Sequence, residues 1–302
     1  MEGPSPLAIL QVKQLVALLQ ADAKPIEFSV PRCLGFFQDS KNTRFGFVYD
    51  LETQSASFAP PESLLQMFKH PAPSIRVRVA MAQELTVTLL YIHAVNWVHK
   101  ALRSASVVFF SDNEGPVLSR PYVGGFEYAR PDQYGLTATA PPRGFEWSVY
   151  CHPDYLGKEN KGFRKSYDMY SLGIILLEIA HWKAASELFA DIPMRSIKAR
   201  AERPKATDEE GQTLDPQSLQ PEKEEESIGN VRNEILKPSS HFLQHVKDTM
   251  GDRFHNAVKA CIQGEEYFKL DPKADQTDRV VSAVLQQGFM RLVVDALKSI
   301  VV

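Results

Sequence analysis

Cysteine is scarce in this chain. Its three cysteines, Cys33, Cys151 and Cys261, lie far apart and form no C-x-x-C pair, which argues against a disulfide framework and a zinc site. A surplus of positive charge is missing too. Against 37 Asp and Glu stand 34 Lys and Arg, a net charge of −3, so no basic footprint for nucleic acid is announced. Long apolar runs are absent. The most apolar stretch, "MYSLGIILLEIA" (Met169–Ala180), contains Glu178 and falls short of the ~20 residues a bilayer needs, so no membrane span is expected. The start, "MEGPSPLAIL", has no basic region followed by an apolar core, and N-x-[ST] occurs nowhere. An intracellular, reducing, cytoplasmic setting is the expectation. G-x-S-x-G and H-E-x-x-H do not occur, and neither does G-x-G, the start of a glycine-rich phosphate loop.

What is present suits a globular protein: 302 residues, 44% of them hydrophobic, are enough for one large domain or two lobes. Ser5-Pro6 caps an apolar-periodic stretch, which predicts a helix over 7–21 with Leu7, Leu10, Leu15, Leu18 and Leu19 as its apolar residues. "RCLGFFQ" (32–38) and "RFGFVYDL" (44–51) read as two strands joined by the polar loop "DSKNT". Residues 53–61 read as a linker, 61–68 as a short helix and 74–95 as a long one, with Ile75, Val79, Ala82, Leu89 and Ile92 towards the core. Strands are expected at 106–110 and at "PVLS" (116–119), and irregular chain over 124–149. The stretch 168–181 is apolar nearly all round, hence a buried helix. Residues 204–230 are acidic and nearly free of apolar side chains, which predicts a solvated, disordered insertion. Helices near 239–264 and 275–301 close an α+β protein.

The stretch "YIHAVNWVHKALRSASVVFF" (Tyr91–Phe110) has the rhythm of a catalytic loop: an apolar helix end, a His in a tight turn, then an apolar strand. The positions suited to a carboxylate and an amide hold Ala101 and Ser106 instead. These motifs resemble the eukaryotic protein-kinase fold. "WVHKALRSASVVFF", "SLLQMF" and "GGFEYAR" resemble, more narrowly, the kinase-like domains attached to HeLo or prion-inhibition domains of filamentous fungi. Against the family's H-R-D-L-K-P-x-N, the resemblance puts His99 at the His and Lys100 at the Arg. It puts Ala101 at the catalytic Asp, Arg103 at the Lys and Ser106 at the magnesium-binding Asn. D-F-G appears as Gly125, Phe126 and Glu127, and A-P-E as "HPD", ending at Asp154. Asp168 opens the match to the family's central helix. Tyr49, Asp50, Leu51 and Glu52 fall near the adenine site, the residual nucleotide site if there is one, together with Gly125, Phe126 and Glu127. Three small-lobe strands, with their glycine-rich loop and lysine, are not found upstream of the first helix. That helix also carries no acid to pair with the lysine. The implied organisation is a truncated small lobe over 1–52 and a large lobe over 53–302.

The resemblance therefore implies the fold without its chemistry. Magnesium favours carboxylates and phosphates, and Gly125 and Ser106 offer neither. A positioned base contributes about 10²–10⁴ in rate, and Ala101 cannot act as one. ATP and magnesium binding are in doubt, and no catalytic residue, metal or cofactor is expected. The alternative is a divergent kinase or phosphotransferase whose metal ligands have moved, with Glu127, Asp112 and Glu114 as the available acids. His99, Asp154 and Asp168 are expected to be structural. Simpler readings also prevail elsewhere: His241 and His245 as a surface helix face, the basic 195–205 as a solvated helix and linker, and Cys151 as packed. The implied role is a regulatory or interaction module with a protein partner, in HeLo-linked cell-death signalling or heterokaryon incompatibility. The partner would dock on the exposed edge of the 32–51 strand pair, by self-association or strand addition, unless the first helix and the 53–61 linker cover that edge.

Overall fold

The computed structural model describes residues 6–20, 25, 27–39, 44–50, 60–112, 115–132, 144–156, 162–192 and 229–302. The first helix, α1 (Pro6–Gln20), lies against β1 (Arg32–Asp39), which pairs antiparallel with β2 (Arg44–Asp50). Phe36 faces Phe47 and Gln38 faces Phe45 across the pair, with an irregularity between Cys33 and Gly35. Leu15, Val16 and Leu19 of α1 and Cys33 of β1 are buried in the main core, whereas Leu10 is exposed. Leu34 and Val48 are exposed at 52% and 43%. An alternating strand shows its odd and even residues to opposite faces, and α1 covers only one of them.

The short helix expected over 61–68 is a two-residue strand, β3 (Glu62–Ser63), followed by α2 (Leu64–Met67). Ser63 is the reason for the late start. Its Oγ accepts the Gln66 N–H, and the Gln66 side chain accepts the Ser63 N–H, a reciprocal capping box. β3 joins β5 (Val107–Phe109) and β8 (Tyr122–Val123) in a small sheet. The long helix α3 (Ile75–Ala94) is capped by Ser74 and buries Val79, Ala82, Leu89 and Ile92. Ile75, placed inwards by the sequence pattern, is exposed in the first turn. β4 (Trp97–Val98) pairs with β9 (Arg130–Pro131), and β6 (Ser111–Asp112) with β7 (Gly115–Pro116), so the strand expected at 116–119 is reduced to its first residue. The stretch 124–149 holds a 3-10 turn at Phe126–Tyr128 and a helical turn, α4 (Phe145–Ser148).

At the centre lies α6 (Lys165–His181), preceded by α5 (Pro153–Leu156) and followed by α7 (Ala185–Leu188). Every residue of α6 from Lys165 to Ala180 is buried, as its all-round apolarity predicts. It packs most heavily on the helix His241–Gln263 and also on α3. Residues 229–236 are helical, so the acidic insertion read over 204–230 ends at least two residues earlier; 204–228 lie outside the described residues. The closing helix starts at Arg279 rather than 275, where Asp278 accepts the Val280 and Val281 N–H groups. Helical chain from Arg279 to Lys298 is long and apolar enough to cross a membrane by length and composition. Here its Leu285, Phe289, Val293, Val294 and Leu297 are buried in the core.

Two polar ties bring distant segments onto the loop after α3. Buried Lys165 donates to Asn96 Oδ1 at 3.0 Å and to Ser282 Oγ at 2.8 Å, while Gln286 Nε2 donates to the His93 carbonyl at 3.2 Å. On the opposite side, Ser29 donates to Glu84 Oε2 at 2.9 Å, and its carbonyl accepts the Val123 N–H at 2.8 Å.

Candidate functional site

The chain leaves α3 through Asn96, makes β4, and turns sharply at His99 and Lys100. Lys100 has φ of +66°, a left-handed conformation rare for a side chain with a Cβ. The turn is held by Asp168, fully buried on the first turn of α6. Asp168 Oδ2 accepts the His99 N–H at 2.7 Å and Oδ1 accepts the Lys100 N–H at 2.8 Å; His93 Nε2 lies 3.2 Å from Oδ2. A buried carboxylate needs such donors, and the strained turn needs such an anchor.

His99 ties this turn to the segment after β8. Its Nε2 lies 2.9 Å from the Gly124 carbonyl, which can only accept, so the proton sits on Nε2. Nδ1 is then free to accept from the Ala101 N–H at 3.4 Å. Burial lowers the pKa of His99, with Asp168 pulling the other way. Its ring leans on Phe126 at 4.8 Å. Lys100 points to the side of Tyr155 and Phe163, 5.7 Å from each ring centre. Burial first and Arg130 second pull its pKa down to about 8.

The other side of the loop carries Ala101, Arg103 and Ser106. Ala101 is buried and has no group that could accept a proton. Ser106 Oγ donates to the Arg103 carbonyl at 2.8 Å and accepts the Arg103 N–H at 3.0 Å, closing a local ring. The Arg103 guanidinium stacks 3.7 Å above the Trp147 ring, and Trp147 meets Tyr128 edge-on at 6.2 Å. Opposite Ser106 stands Gly125, at φ +75°. A Cβ there would lie 2.8 Å from Ser106 Cβ, closer than real side chains come. Any other residue at 125 would meet both the strained backbone and this contact. The same Cβ would lie 3.5 Å from Glu127 Oε2, so the Glu127 carboxylate turns back towards Gly125.

Burial, then Cys33 and then Glu127 raise the pKa of Tyr49, which brings residues 49 and 127 into one neighbourhood. Asp50 pairs with Arg32 at 3.8 Å at the end of the hairpin. Leu51, Glu52 and Glu114 lie outside the described residues. Asp154 is 61% exposed at its side chain, 3.9 Å from His152 Nδ1. His245 stacks at 4.2 Å on His181 of α6, rather than forming a metal pair with His241. Among the described residues there is no group of three or more His, Cys, Asp or Glu that could hold a metal ion.

Sequence reasoning missed a second buried carboxylate. Glu178 Oε1 accepts from Tyr150 OH at 2.6 Å, the Ala185 N–H at 2.8 Å and Ser104 Oγ at 3.2 Å, while Oε2 has no partner. Burial, opposed first by the Tyr150 bond, pushes its pKa up to about 8, so the carboxyl is protonated at neutral pH. Ser104 and Tyr150 also line a cavity of about 330 Å³ between α2, the loop and α7, with Lys69, Arg103, Glu146 and Glu187 around it. The signal was present: a Glu inside an apolar helix has to be satisfied from elsewhere. Cys151 likewise has a cationic side chain, Lys100, in its neighbourhood. That neighbour was not visible in the sequence.

No protein-family model matches the chain. Over 151 residues, 48% of its length, the chain is 29% identical to the cAMP-dependent protein kinase catalytic subunit of Arthrobotrys oligospora. It spans 24% of that protein's length. The chain is thus a mixed helix-and-strand protein with a distant likeness to a protein kinase catalytic subunit.

Proposed function

We propose that this chain is a protein-kinase-like domain that does not transfer phosphate and serves as a regulatory or interaction module. The observation that carries the reading is the contact between Gly125 and Ser106. The two positions that hold metal in the resembled family are here a glycine and a serine, packed so that a Cβ on the first would lie 2.8 Å from the second. Phosphoryl transfer depends on positioning and on cations that neutralise the phosphates. With Ala101 at the base position, neither requirement has a side chain to meet it. In this reading residues 1–52 form the smaller lobe and 53–302 the larger, inside the cell. The "SLLQMF", "WVHKALRSASVVFF" and "GGFEYAR" motifs support a place among the HeLo-associated kinase-like domains. A protein partner would meet the edge of the strand pair. The test is a phosphoryl-transfer assay with Mg·ATP and Mn·ATP on the chain and on Ala101→Asp. Neither should transfer phosphate above background; transfer by the chain itself would overturn the proposal.

One observation favours a second reading, a phosphotransferase with relocated ligands. Glu127 directs its carboxylate to the spot beside Gly125 where a metal-binding acid would project. If Glu127 holds a metal, Glu127→Gln abolishes a Mn·ATP-dependent signal that the unaltered chain displays.

A further inference from the structure

We propose that β2 is a self-pairing edge: two copies of the chain join through antiparallel β2–β2 pairing about Phe47. Among the described residues neither strand of the two-stranded sheet has a further strand on its outer side. On β1 that side is partly closed, because Gln20 Nε2 of α1 donates to the Leu34 carbonyl at 2.8 Å. Among the described residues no backbone group on the far side of β2 has a partner. Such an edge is a template for a further strand, and a lone hairpin is marginal in water.

The occupant follows from the sequence of the edge itself. β2 reads R-F-G-F-V-Y-D, Arg44 to Asp50. Pairing this strand antiparallel to its own copy, centred on Phe47, sets Arg44 against the copy's Asp50 at both ends. Phe45 then faces Tyr49, Gly46 faces Val48, and Phe47 meets its equivalent. Opposite charges and aromatic pairs directly across an antiparallel ladder are stabilising contacts, and a two-fold axis repeats each of them. The face shared by the two hairpins is also unusually apolar: Leu34, Phe37 and Val48 are exposed at 52%, 56% and 43%. The four-stranded sheet would join these into one strip. This inference names the partner of the proposed module and so rests on that reading. Loss of self-pairing alone would leave the proposal of inactivity untouched.

The experiment uses charge reversal in two variants of the full chain. Arg44→Asp puts acid against acid at both ends of the pair, and Asp50→Arg puts base against base. Sedimentation velocity over a concentration series should show the unaltered chain dimerising, and each variant alone should bind itself about tenfold more weakly or worse. In an equimolar mixture the acids at both strand ends of one variant face the bases at both strand ends of the other. Opposite charges then meet at each end of the pair, and the dimer should recover. Effects within one chain, such as the loss of the Arg32–Asp50 pair, are the same alone or mixed and cannot mimic this recovery. Hydrogen exchange on the unaltered chain gives a readout that needs no variant: amides of 44–50 should slow as concentration rises. A chain that stays monomeric, a dimer indifferent to both reversals, or a mixture no tighter than its parts would each overturn the proposal.

Discussion

The two sides of the loop from His99 to Ser106 differ sharply. On the side facing α6, the His99 and Lys100 N–H groups each meet a carboxylate oxygen of Asp168, and His93, His99 and Asp168 are all buried. On the side facing Gly125, the hydroxyl of Ser106 is used up locally, Arg103 is stacked on an indole, and Ala101 has no polar side chain. The first side determines the shape of the loop; the second is where a reacting group would have to be positioned. In the proposed reading, shape and chemistry of such a loop reside on different residues, and this chain carries the first set without the second.

The largest expected effect comes from breaking the structured side. Asp168→Ala orphans two buried N–H groups and releases the left-handed turn at Lys100, so denaturant unfolding should report a loss of about 2 kcal/mol or more. An unchanged unfolding midpoint would mean that the loop is held by something other than Asp168.

Glu178 provides a comparable test through pH. Its folded-state pKa, about 8, lies above the ordinary carboxyl value of 4.5. A raised pKa means the folded chain holds the proton more tightly. The stability it contributes is full below the unfolded value and is lost as pH rises through about 8. Glu178→Gln keeps a neutral side chain there. Relative to the unaltered chain it should gain stability between these limits, on the order of a few kcal/mol by pH 8. A difference between the two proteins that is flat across this range would show that Glu178 does not titrate as stated.

On the empty side, Gly125→Asp puts back an acid at the position the resembled family uses. It meets a left-handed backbone and Ser106 Cβ, so a loss of about 1–3 kcal/mol is expected, with no gain in metal binding. A stable variant that binds magnesium would show the closure to be soft. The smallest effect belongs to Trp147→Leu, which removes the stack on Arg103 and should cost about 1 kcal/mol in thermal unfolding. A loss several times larger would make the stack a structural post rather than a surface contact.

Much of this architecture was legible in the sequence, for identifiable reasons. The all-round apolarity of 168–181 needs burial on every side, and α6 is buried on every side. The β1–β2 pair was legible because two aromatic-rich runs flank a polar loop. The two-residue strands β3 and β8 were not, because so short a segment has no periodicity; their pairing comes from the sheet they join. The cap at Ser63 could have been read from S-x-x-Q, and would have moved the start of α2. The exposure of Leu34 and Val48 depends on which face α1 happens to cover. At the site, the substitutions Ala101, Ser106 and Gly125 stand in the sequence. The steric closure at Gly125, the Arg103–Trp147 stack and the direction of Glu127 are long-range geometry that no local pattern encodes.

The most direct test of an inactive scaffold is the melting temperature of the chain with ATP, in the presence of magnesium and again with EDTA. Ligand binding to the folded state alone raises the melting temperature by mass action. With Gly125 and Ser106 at the positions the resembled family uses for metal, the proposal expects the curves with and without Mg·ATP to coincide. A rise of several degrees with Mg·ATP that disappears on adding EDTA would contradict the inactive-scaffold reading.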